Sequence, residues 1–134
     1  MPIPPHILVT FDRTTPPIRC HSVSEMDAAL DRLHSEKLAT SGCPLAVSIS
    51  IPGYEVYTGL GSTESFVMLG AEPFDNWYVA LGDESAEGDD KMFYGVCDDC
   101  YWAPKHLIPV EVAREAVRYF LEHQQRSPTL RWEH

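Results

Sequence analysis

Apolar positions along the chain keep helical spacing at first and then change period. Val23, Met26, Leu30 and Leu33 recur at three and four residues, and Ser22 with Glu25 has capping-box spacing. These features predict a helix over 22–38, ending near Leu38 before Ser41-Gly42. From Pro44 to Val96 the period becomes two. Leu45, Val47, Ile49 and Ile51 alternate with Ala46, Ser48 and Ser50, which predicts a strand with one buried face. Pro52-Gly53 supplies a turn into Tyr54–Gly61, and Ser65–Leu69, Trp77–Leu81 and Met92–Val96 read as further strands. A second helix is expected over 109–124: Pro109 suits its first turn, Glu111 sits at its positive end, and Val110, Ala113, Ala116, Val117, Phe120 and Leu121 form one stripe.

Before the first helix, prolines 2, 4, 5, 16 and 17 mark extended and turn backbone around a β-rich run, His6–Phe11. After the second, Pro128 stops the helix and 129–133 forms a short extended segment. Consecutive strands with short loops predict an antiparallel meander over 44–97 rather than crossover units. The expected fold is one α+β domain over 1–134: an extended segment and first strand in 1–21, then a curved antiparallel sheet of about five to seven strands with both helices packed on one face.

Composition narrows the function. With 44% apolar and 22% charged residues, the 134-residue chain has the make-up of an ordinary globular domain, not of a disordered or coiled-coil protein. No signal-peptide pattern opens it and no apolar run approaches a membrane span, so a cytoplasmic protein with reduced thiols is expected. A net charge of −10 and a pI near 4.8 repel nucleic acid and anionic membrane, which argues against either as a direct partner. Nine of the 20 carboxylates fall between residues 72 and 99, with Lys91 the only cation among them. Such a run favours a basic partner or serves as a solvated face that maintains solubility.

Catalytic signals are thin. His34-Ser35-Glu36 followed by Cys97-Asp98-Asp99-Cys100 imitates the H-x-E and P-C-x-x-C signature of zinc deaminases. The expected proline before the first cysteine is Val96, however, and His34 falls in the last turn of its helix instead of opening one. A zinc-dependent hydrolase or deaminase built on His34, Glu36, Cys97 and Cys100 is thus the alternative in a different class. The same cysteine pair could hold structural zinc with His106 and Cys43, but two carboxylates between the thiols disfavour the thiolate form. Gly59-Leu60-Gly61 lacks the context of a dinucleotide loop, and Gly82–Asp90 does not match a calcium loop. The expectation is no catalytic residue, no metal and no cofactor.

Aromatic pairs border the acid: Trp77-Tyr78, Phe93-Tyr94 and Tyr101-Trp102. Strand alternation sends one member of each of the first two pairs inward and the other outward. Rigid rings surrounded by charge have the composition of a protein–protein hot spot.

The C-terminal third carries a resemblance. Leu107-Ile108-Pro109-Val110, then Ala113, Ala116 and Phe120, then Pro128-Thr129-Leu130-Arg131-Trp132-Glu133 resembles the ending of a bacterial immunity-protein family, one that includes the immunity protein of a double-stranded-DNA cytosine deaminase toxin. Tyr57–Gly61 and Tyr78–Asp83 are similar to that family's middle strands, so the likeness spans about residues 22–133. The family often carries glycine shortly before the second proline, where this chain has Gln124 and Gln125. The resemblance implies a small α+β protein that binds and blocks a cognate toxin domain, itself basic and nucleic-acid-modifying. On that reading Asp83, Glu84, Glu87, Asp89, Asp90, Asp98 and Asp99 supply the complementary field, and Trp77, Tyr94 and Trp102 supply anchors. Trp132 is expected in the core, closing the sheet against the second helix. A generic acidic module binding some other basic protein is the further alternative.

Overall fold

The computed structural model describes residues 6–40, 42–96 and 100–134. Its elements in chain order are β1 (Ile7–Thr10), β2 (Ile18–Cys20), α1 (Val23–Ala39), β3 (Leu45–Ile51), β4 (Tyr54–Leu60), β5 (Glu64–Ser65), β6 (Val67–Ala71), β7 (Trp77–Leu81), β8 (Lys91–Gly95), β9 (Cys100–Trp102), a 3-10 turn (Pro104–His106), β10 (Ile108–Pro109), α2 (Val110–His123) and β11 (Arg131–Glu133). The main sheet runs β11-β7-β6-β4-β3-β1-β2, every neighbouring pair antiparallel, and stays open. Both helices pack on one face, giving the α+β architecture that the sequence pattern predicts.

Each helix follows from its sequence. Ser22 caps α1 by accepting the Glu25 N–H at 3.1 Å, and Val23, Met26, Ala29, Leu30 and Leu33 turn to the sheet. Helix α2 starts directly after Pro109 and buries Val110, Ala113, Ala116, Val117, Phe120 and Leu121. It ends at Gln124, whose φ of 53° is the left-handed conformation usually supplied by glycine. Asp27 on α1 binds Arg114 at 2.9 Å and Arg118 at 3.2 Å, two arginines one turn apart on α2, and so joins the helices. The β3–β4 hairpin turns on Pro52-Gly53, with Gly53 at φ 84°, where a side chain would be strained.

Three features differ from the sequence expectation. First, β8 does not continue the meander from β7; it pairs parallel with the start of β3, Leu45 opposite Tyr94, and carries β9 on its other edge. Second, β3 buries both faces over most of its length. Behind Ala46 lies a second apolar cluster with Phe66 and Phe93, on the side of the sheet away from the helices. Gly59 makes room for it, since a Cβ there would lie 2.4 Å from the Phe93 ring. Third, the single strand expected at Ser65–Leu69 is two. Phe66 leaves the ladder for the second cluster, while Ser65 donates to the Gly59 carbonyl and Thr58 to the Phe66 carbonyl, both at 2.8 Å, so the buried hydroxyls at the break are satisfied.

Candidate interaction surface

The face of the sheet opposite the helices carries a band of aromatic rings. Strand register puts Glu55, Gly70 and Trp77 side by side on that face, while Val56, Leu69 and Tyr78 point to the helices. The Trp77 ring lies 5.8 Å from Tyr57 and 5.9 Å from Phe74, and its Nε1 donates to the Phe74 carbonyl at 3.0 Å. Tyr57 in turn packs on the second cluster, where Trp102 stacks on Phe66 at 4.2 Å and meets His106 edge-on at 6.1 Å. Trp77 and Trp102 therefore belong to one continuous band, joined through Tyr57. Burial, then a hydrogen bond and repulsion from Glu55, push the Tyr57 hydroxyl up to about 12, so it remains a neutral donor at physiological pH.

Tyr94 lies elsewhere. It is exposed and borders a hollow formed with Phe11, Leu33 and Lys37 beside the C-terminal end of α1. Within Tyr101-Trp102 the tryptophan turns inward and Tyr101 is exposed. Tyr57 and Phe74, which complete the band, are missed by sequence reasoning because only strand register brings them to Trp77.

The acidic segment after β7 is attached at both ends to this band. Gly82 N–H donates to the Lys105 carbonyl at 2.7 Å, and Lys91 pairs across β8–β9 with Trp102. Between these points Asp83, Glu84, Glu87, Asp89 and Asp90 are all exposed. Asp83 accepts the Ser85 hydroxyl at 2.6 Å and the Ser85 N–H at 3.0 Å, which holds its carboxyl below the usual range. Glu84 pairs with Arg131. Glu87, Asp89 and Asp90 have no ion-pair or hydrogen-bond partner among the described residues and stand open to solvent. Asp98 and Asp99 lie outside the described residues. At the other border, Glu133 receives His106 at 2.8 Å and Lys105 at 3.3 Å; the His106 bond is the larger cause of its lowered pKa.

The residues that suggested zinc chemistry are held separately. His34 Nδ1 accepts the Gly61 N–H at 2.8 Å, tying α1 to the end of β4, while Cys43 donates to the Met92 carbonyl and His106 bonds Glu133. Cys100 is disulfide-bonded where a reduced thiol was expected, and Cys97 lies outside the described residues. Among the described residues no three His, Cys, Asp or Glu side chains are grouped to hold a metal ion. Trp132 lies on the helix side of the sheet against the main core, with Nε1 donating to the Ser127 carbonyl at 3.1 Å.

The exposed acidic loop is thus anchored beside an aromatic band on a two-layer scaffold, a combination of rings and charge that resembles protein–protein hot spots in composition. The sequence model of the immunity protein Imm1 family matches residues 15–134, and the chain belongs to that family. Membership of that family supports a function in immunity against a toxin. No curated protein matches the chain. No helix among the described residues is long and apolar enough to cross a membrane.

Proposed function

We propose that the chain neutralises a nucleic-acid-modifying toxin domain of deaminase type in the cytoplasm of the producing cell, laying its acidic loop and aromatic band over the toxin's basic cleft and performing no chemistry itself. The observation that carries this reading is the loop 82–90, in which five exposed carboxylates flank the band and three of them have no partner among the described residues. An enzyme acting on a polyanion needs a positive cleft, and an acidic surface with rigid rings mimics the phosphates and bases that fill it. Half-buried Trp77 supplies one edge of the band, Trp102 fixes its other end, and exposed Tyr94 extends contact to the α1 side.

The test is co-expression with the C-terminal toxin domain encoded by the neighbouring reading frame, scored for growth and for base changes in the cell's nucleic acid. Wild-type protein should restore growth and suppress the lesions, while Asp89→Lys with Asp90→Lys should weaken both effects. No rescue by the wild type sinks the immunity reading for that toxin. Rescue from a toxin that leaves DNA and RNA unaltered removes the deaminase-type assignment.

A further inference from the structure

The 71–76 turn belongs to two surfaces at once. On the band side Phe74 stacks on Trp77; on the helix side the same turn walls a groove of 640 Å³ at the C-terminal end of α2. That volume is within the range of about 300–1,000 Å³ typical of small-ligand sites. The groove exists because α2 stops at Gln124 and the chain turns away, leaving Tyr54, Phe120 and Tyr78 to line its wall. Tyr54 and Phe120 meet edge-to-face at 5.4 Å, which gives the groove one packed aromatic wall. Glu72 and Asp75 stand exposed at its margin, neither ion-paired among the described residues. The site already accepts a guanidinium: Arg126 of the same chain lies 3.9 Å from the centre of the Tyr78 ring.

We propose that this groove seats an arginine side chain of the toxin, which displaces Arg126 from Tyr78 and pairs with Glu72 and Asp75. The proposal rests on the immunity reading above and extends it to a second contact, continuous with the aromatic band through Phe74. Arginine fits the observations because its flat cation stacks on a ring face and bonds carboxylates at its edge simultaneously. An internal arginine in that position acts as a placeholder, covering the ring until the partner arrives.

The experiment measures affinity and dissociation rate for the neighbouring-frame toxin domain with wild-type protein, Glu72→Gln/Asp75→Asn and Arg126→Ala, with melting temperature as the control for folding. All three substitutions are at exposed positions. The carboxylate double variant should bind at least tenfold more weakly, mainly through faster dissociation, and Arg126→Ala should bind severalfold more tightly because the ring is already vacant. Unchanged affinity in the double variant, or unchanged or weaker affinity in Arg126→Ala, overturns the groove while leaving the immunity reading intact. Absence of binding by the wild-type protein overturns that reading, and the groove with it.

Discussion

The indole of Trp77 lies where a side chain on Gly70 would be: a Cβ at that position would approach the ring carbons to 2.6 Å. The glycine is thus the seat of the aromatic band. Gly70→Ala should force the ring away from Tyr57 and Phe74 and destabilise the protein by about 1–3 kcal/mol, as overpacking commonly does. Chemical denaturation followed by tryptophan fluorescence reads both effects. Unchanged stability with an unchanged spectrum would show that the contact is unimportant.

Asp27 joins α1 to two arginines, and the side chain of Arg114 is only 11% exposed. Asp27→Ala removes one of the two carboxylates on that guanidinium, leaving Asp31 at 2.9 Å, and should lower stability by about 1–2 kcal/mol. Adding Arg114→Met should recover part of the loss, since the desolvated charge is then gone. A double-mutant cycle in urea measures the coupling, and strict additivity would contradict it.

Tyr57 makes the alkaline limb of stability informative. Its pKa is raised from 10 to about 12, so the folded state holds the phenolic proton more tightly than the unfolded chain does. The resulting stability is fully present below pH 10 and lost as pH rises from 10 toward 12. Phenolate absorbance should show one of the six tyrosines titrating late, and Tyr57→Phe should remove that step and flatten the stability loss. Six tyrosines titrating together in the folded protein would refute the assignment.

Glu133 contributes on the acid side. Its pKa is lowered from 4.5, chiefly by the His106 hydrogen bond and then by Lys105, so its contribution is present above pH 4.5 and lost as pH falls through the lowered value. His106→Ala should make the melting temperature less sensitive to acid in that window. A pH series that superimposes on the wild type would show that this pair is energetically silent.

Association with the toxin should slow as salt rises, because the screening length falls from about 10 Å at 0.1 M to about 3 Å at 1 M. Charge reversal at Asp89 and Asp90 should act mainly on the association rate, and Trp77→Ala on dissociation. Stopped-flow traces at two ionic strengths separate the two. If the loop governs dissociation and the ring association, the roles assigned to rim and anchor are exchanged.

Much of this architecture can be read from the chain, and what cannot has a common cause. The stripe from Val110 to Leu121 is legible because a helix's neighbours are set by local spacing, and the buried residues of α2 are the ones its period selects. Alternation likewise exposes Tyr94 and buries Phe93. It does not say which strand Lys91–Gly95 will meet, so the parallel pairing with β3 is invisible, as is the covering of Ala46 that follows from it. Ile18–Cys20 is too short to show a period. Gln124 in a left-handed helix cap shows why the missing glycine near Pro128 leaves the fold intact: the conformation is retained, and the Gln124 amide donates to the Leu121 carbonyl at 2.6 Å. Of the surface, the acid and two tryptophans stand out in the sequence, whereas Tyr57 and Phe74 join them only through register and the 71–76 turn.

The parallel insertion of β8 beside β3 has an outcome for diversification. It moors the far end of the 82–90 segment to a different part of the sheet from the near end, which leaves β7 beside β11. Substitutions between these two moorings can rewrite the charge and contour offered to an opponent without disturbing a ladder or a buried side chain of the scaffold. On the proposed reading, a lineage facing a changing toxin can alter its specificity in that span while inheriting the same folding problem already solved.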